Sequence, residues 1–138
     1  MNREELKTIL PHRQDMLLLD WAEDRDGVAE GVYTVPEDAF FLRGHFPGNP
    51  IVPGVILMEI LAQSVCVLVR DRIRAGQLPV YTGMDRVRFH HPVRPGDIVE
   101  TRCSIKRSMA SFFFAEGTVS VDGQLCAAGS FSFALAEA

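Results

Sequence analysis

The chain has few cysteines, and they form no pattern. Cys66, Cys103 and Cys126 are widely spaced and odd in number, with no CxxC pair and no Cys/His ligand spacing. A disulfide framework and a metal site are therefore not expected, and the thiols read as reduced core residues of a cytoplasmic protein. Positive charge is not in excess: the formal net charge is −4 and the isoelectric point is near 5.5. Nucleic-acid binding, which needs a basic surface, is not expected. The opening residues Arg3, Glu4, Glu5 and Lys7 are charged and lead into no apolar run, so no standard secretion signal is expected. The one long apolar stretch gives way to Arg70-Asp71-Arg72, too early for a membrane span. Internal repeats and low-complexity segments are absent. What remains is an ordinary globular composition, 138 residues at 47% hydrophobic, which reads as one domain over 1–138 with a sizeable core.

The stretch that organises the rest is 43–63, RGHFPGNPIVPGVILMEILAQ. Pro47, Pro50 and Pro53 each remove a backbone donor and bias the preceding residue away from the helical region, so the first half is a rigid loop. From Val55 to Ala75 there is neither Gly nor Pro, and Val55 to Val69 is apolar except for Glu59, Gln63 and Ser64. This predicts a buried helix over 55–75, about 30 Å long at a rise of about 1.5 Å per residue. A carboxyl one turn into such a helix is anomalous, because burial disfavours its charged form, and a neutral carboxylic acid can donate a proton. Gln63, four residues on, lies on the same face and is placed to orient Glu59. The helix start at Gly54-Val55 leaves unpaired N–H groups at the positive end of the dipole. On the loop just before it sits His45, the side chain best suited to take a proton near neutrality. An acid, a base and a set of oxyanion donors thus lie within one continuous block. No nucleotide loop, Schiff-base lysine context or ligand set accompanies them, so no cofactor and no metal are implied.

Elsewhere the chain reads as β with one short helix. Asn2 and Glu5 form a capping-box pattern, predicting a helix over 3–9 that Pro11 ends. A strand is expected over 16–21, a turn over 24–27 and a second strand over 28–35. Gly76 is placed to cap the long helix and Pro79 to stop it, with a strand over 80–89. Residues 98–107 alternate Val99, Thr101, Cys103 and Ile105 against polar neighbours, as a half-buried strand does. Residues 111–121 and 124–135 flank Asp122-Gly123, a strong hairpin signal. The pattern is α+β, a sheet packed around one helix.

Read together, His45-Phe46-Pro47-Gly48, Pro50, Pro53-Gly54-Val55, Glu59 and Ala62-Gln63 resemble the signature of the 3-hydroxyacyl-[acyl-carrier-protein] dehydratases of bacterial fatty acid synthesis, the FabZ type. Leu10-Pro11-His12-Arg13, Leu17-Leu18-Leu19-Asp20, Gly83-Met84-Asp85, Arg88-Phe89 and Pro92-Val93-Arg94-Pro95-Gly96-Asp97 extend the resemblance over nearly the whole chain. It implies a hot-dog fold, in which a long central helix is wrapped by a curved antiparallel sheet. It also implies a hydro-lyase converting a (3R)-hydroxyacyl thioester to the trans-2-enoyl thioester. His45 would be the base, Glu59 the acid, and Gly54 with Val55 the site of the thioester carbonyl; Gln63 would orient the acid. In the related FabA branch aspartate stands at the acid position, so Glu59 points to dehydration without isomerisation.

The substrate would arrive on acyl carrier protein, an acidic partner that a basic patch should steer; Arg86, Arg88, His90, His91 and Arg94 are the candidates. The family pairs two subunits side by side, so a homodimer is the minimum assembly expected, with a trimer of dimers open beyond it. The chain departs from the family pattern at His90-His91, where a basic pair is usual, at Gln14-Asp15-Met16 and at Ile60-Leu61. These bear on chain length and pathway. A hot-dog thioesterase and a non-catalytic carrier-binding module are the competing readings. The intact His45–Glu59 block argues against both.

Overall fold

Capping decides where the chain first becomes helical. Asn2 accepts the Glu5 N–H at 2.9 Å while the Glu5 carboxylate accepts the Asn2 N–H at 3.1 Å, closing a capping box on α1 (Arg3–Leu6). In this computed structural model, which describes residues 1–137, α1 is shorter than the helix expected over 3–9. The strand expected over 16–21 is displaced. Leu17, Leu18 and Leu19 are all buried, which a half-buried strand cannot achieve with successive side chains. β1 (Trp21–Arg25) follows them instead, and the turn at Asp26-Gly27, both at positive φ, leads into β2 (Val28–Thr34).

The central helix α2 (Gly54–Val65) starts one residue before its expected position and ends ten before. The chain continues as a 3₁₀ segment, Cys66–Arg72, broken at Val69 (φ −117°, ψ 17°). The change falls in the Val65–Val69 run, where β-branched residues weaken the α-helical preference and the tighter winding lets Cys66, Val67 and Val69 all face the core. Gly76 is therefore no helix cap. It sits at φ +84° in a turn closed by Gln77 N–H to the Arg74 carbonyl at 3.0 Å. Pro79 does not stop a helix either, but lies within β3 (Gln77–Phe89), opposite Leu135. An edge strand tolerates the missing donor.

β4 (Ile98–Met109), β5 (Phe112–Val121) and β6 (Gln124–Glu137) match the expected late strands. The β5–β6 hairpin turns at Asp122-Gly123, both at positive φ, as a two-residue turn requires. All six strands form one antiparallel sheet in the order β1-β2-β4-β5-β6-β3, and α2 packs on its inner face against β2, β4, β5 and β6. This is the hot-dog architecture. No described helix is long and apolar enough to cross a membrane.

Glycines let the sheet curve tightly onto the helix. A Cβ on Gly117 would lie 2.9 Å from Leu61 Cδ1 and 2.5 Å from the Arg102 carbonyl oxygen. One on Gly129, its cross-strand neighbour, would meet Val87 at 2.9 Å, and one on Gly31 would meet Ser64 Cβ at 3.0 Å. The two sheet edges differ. The N-terminus covers β1, with an Asn2–Trp21 bridge and the Met1 ammonium donating to the Ala22 carbonyl at 2.8 Å. β3 pairs only with β6, and its other edge carries Val80, Met84 and Phe89, exposed among the described residues.

Gly117→Val is expected to lower unfolding free energy by about 2–3 kcal/mol, the cost of overpacking a dense core. Urea denaturation checks it, and an unchanged midpoint would show that the sheet can yield at this point.

Candidate active site

The proline loop holds His45 by its backbone and by its ring. Ile51 N–H donates to the His45 carbonyl at 2.8 Å, and the Phe46 and Asn49 backbones exchange hydrogen bonds at 3.0 and 2.9 Å. His45 Nδ1 lies 2.9 Å from the Ile51 carbonyl, an acceptor, so Nδ1 carries the proton and Nε2 keeps a free lone pair. The ring stacks on Phe46 with centroids 4.1 Å apart. Val52 N–H bonds the Val93 carbonyl at 2.8 Å, tying the loop to the segment after β3. His45, Gly54, Val55, Phe89, His90 and His91 line a cavity of about 470 Å³.

α2 begins inside that cavity. Pro53 is its N-cap and supplies no side-chain hydrogen bond, so no side chain competes for the N–H groups of the first turn. Gly54 lies close against the exposed Phe89 ring: a Cβ there would sit 2.7 Å from it and displace it.

Glu59 faces a different cavity, of about 190 Å³, shared with His12, Gln63, Cys66, Tyr81 and Phe133. Its carboxyl is held from two sides. Gln63 Nε2 donates to Glu59 Oε2 at 2.9 Å and to the Met16 carbonyl at 2.8 Å, while Gln63 Oε1 accepts the Leu18 N–H at 2.9 Å. Gln63 is 1% exposed, so one buried amide anchors both the carboxyl and the segment that covers it. From the other side, His12 Nε2 approaches Glu59 Oε2 at 3.2 Å. Two further ionisable groups in the wall are silent near neutrality. Burial, and secondarily the Glu59 charge, pushes the Cys66 thiol up to about 12 and raises the Tyr81 phenol well above its ordinary value. The Tyr81 hydroxyl donates to the Met58 carbonyl.

The block that is continuous in sequence is thus split in space. Gly54, Val55, His90 and His91 lie with His45, and Gln63 lies with Glu59, but His45 and Glu59 line separate cavities of the chain. Among the basic candidates, Arg94 donates to Asn49 Oδ1 at 2.7 Å beside the proline loop, and Arg88 is exposed near the end of β3. Arg86 instead lines the solvent face of the sheet with Arg102 and Glu116, away from His45. His12, in the Leu10-Pro11-His12-Arg13 match, has no site role expected from the sequence. Its distance along the chain from Glu59 hides the contact, and no residue near it in sequence signals one.

The ApeI-like family, described as ApeI dehydratase, matches residues 20–130 of the chain. A 3-hydroxyacyl-[acyl-carrier-protein] dehydratase FabZ of Natranaerobius thermophilus is 38% identical over 136 residues, covering 96% of each chain. The FabZ of Clostridium perfringens is 37% identical, over 98% of this chain and 99% of that one. Among solved structures, the dehydratase heterocomplex ApeI:P of Xenorhabdus doucetiae shares the fold with a TM-score of 0.81 at 22% identity, covering 96% of this chain and 91% of that one.

Gln63→Leu removes three hydrogen bonds and leaves the Leu18 N–H buried without an acceptor. A loss on the order of 3 kcal/mol is expected, since each unsatisfied buried group costs about 1–3 kcal/mol. Urea unfolding measures it, and a neutral result would mean that water replaces the amide.

Proposed function

Because the chain belongs to the hot-dog dehydratase family of ApeI and FabZ, a family of hydro-lyases, we propose that it converts a (3R)-hydroxyacyl thioester on acyl carrier protein to the trans-2-enoyl thioester. His45 Nε2 takes the Cα proton. Charge then builds on the thioester oxygen, which the uncapped N–H groups at Gly54 and Val55 are oriented to receive. Glu59 delivers its proton to the β-hydroxyl, the C–O bond breaks and water leaves. The proton on His45 returns to Glu59 through solvent. The observation that carries this reading is the held state of both groups: a histidine with Nε2 free, and a carboxyl clamped at one oxygen and open at the other.

The separation of His45 from Glu59 favours a site shared between two copies. Val55 stands 69% exposed on a helix whose other residues are buried or half-buried, one turn before Glu59 on the same face. On the free β3 edge Val80 lines the Glu59 cavity and Phe89 the His45 cavity, with Met84 exposed between them. A second copy across a two-fold axis would cover both and set the His45 of one chain against the Glu59 of the other. Cytoplasmic residence, and an acidic carrier docking near His90, His91, Arg88 and Arg94, belong to the same proposal.

His45→Ala and Glu59→Ala should each reduce crotonyl-thioester hydration by about 10²–10⁴-fold with the fold intact. Co-refolding the two variants should then restore about a quarter of wild-type activity, since random pairing makes about half the dimers mixed and each mixed dimer has one whole site. No recovery, with subunit exchange confirmed by mass, would place the site within one chain. Enoyl absorbance without thiol release separates dehydration from thioester hydrolysis. Arg88→Glu or Arg94→Glu should raise KM for carrier-bound substrate and barely change it for a small thioester; equal effects on both would remove these residues from docking.

A further inference from the structure

His12 is placed with more care than a solvent-edge histidine needs. Arg13 Nη1 donates to the Leu10 carbonyl at 2.7 Å and to the His12 carbonyl at 2.8 Å, while Nη2 reaches the Lys7 carbonyl at 3.1 Å. That guanidinium pins the backbone around His12. Gln63 holds the same segment further on at Met16 and Leu18. The ring is thereby fixed with Nε2 against Glu59 Oε2 at 3.2 Å and Nδ1 buried without any hydrogen-bond partner.

The two neutral tautomers have opposite consequences. If Nδ1 held the proton, a buried N–H would face no acceptor, and bare Nε2 would draw the Glu59 proton onto Oε2, away from the open side. If Nε2 holds the proton, Nδ1 is only a bare lone pair, and orphaned acceptors are tolerated better than orphaned N–H donors. In that state Oε2 accepts two N–H groups, one from Gln63 and one from His12. A carboxylic acid keeps its proton on the oxygen that is not crowded by donors.

Building on the reading of Glu59 as the acid, we propose that His12 is a positioning residue: its neutral Nε2–H donates to Glu59 Oε2 and, with Gln63, keeps the transferable proton on Oε1. When that proton passes to the departing hydroxyl, the new carboxylate charge falls between the same two donors. His12 neither gives up nor gains a proton during the step.

The test compares His12→Gln, whose amide can present N–H near the Nε2 position, with His12→Phe, which fills the space and donates nothing. For crotonyl-thioester hydration, His12→Phe should lower kcat by about 10–100-fold with KM within about twofold, the pattern of a lost transition-state interaction. His12→Gln should recover kcat to within about fivefold of wild type. Wild-type kcat in His12→Phe, or equal impairment in both variants, overturns the proposal. The tautomer is read independently of folding by ¹⁵N shifts of His12 in the wild-type protein: a protonated Nε2 and bare Nδ1 support it, and the reverse overturns it. Glu59→Ala is run alongside. If it stays active, the acid reading fails and the role of His12 falls with it; if it is dead while His12→Phe is fully active, only the role of His12 falls.

Discussion

The close seat of α2 in the sheet is the constraint on which the other features depend. Residues at Gly31, Gly117 and Gly129 with any side chain would collide with Ser64, Leu61 or Val87. With glycine at 31 and 117, β2 and β5 press against a helix that is apolar on most of its surface, and with glycine at 129 β6 packs closely against β3. Along α2 the residues left exposed or half-buried are Gly54, Val55, Ile56, Glu59 and Ala62, while Gln63 follows Glu59 on the same face and is buried. Of the candidate site residues on α2, Val55 stands exposed at the start of this face and Glu59 half-buried one turn on.

Two different materials cover it. From Glu59 to Cys66 the lid is the 12–18 segment together with the start of β3. The lid carries backbone polar groups into the interior, and Gln63 satisfies them: its amide accepts from Leu18 and donates to Met16. The same amide reaches the Glu59 carboxyl, so one buried side chain ties the carboxyl and its cover together. Stability and chemistry meet in this one side chain. Around Val55 this face is bare, and the free edge of β3 lies nearby. A two-fold partner at that edge would close the remaining surface and unite the two halves of the site in one step.

Most of the architecture was legible because its signals are local. The capping box at Asn2, the alternation along β4 and the Asp122-Gly123 hairpin each follow from residues within a few positions of one another. The proline loop announced itself the same way, as did the helix start at Gly54. Boundaries set by competition were less legible. The end of α2 depends on whether Val65–Val69 gains more from α-helical or from tighter winding against the core. Leu17–Leu19 gave up a strand because three consecutive leucines found burial and Leu18 found a side-chain acceptor.

The sequence by itself determined the chemical groups: a histidine on a rigid loop, an uncapped helix start, and a carboxyl with a glutamine one turn beyond it. These follow from residue type and short spacing, which the chain carries without folding. Only the tertiary structure decided which groups touch. It brought His12 to Glu59, set Phe89 against Gly54, sent Arg86 to the far face of the sheet and parted His45 from Glu59. Those outcomes depend on where a curved sheet and a buried helix leave space, and no neighbouring residue in the chain records that.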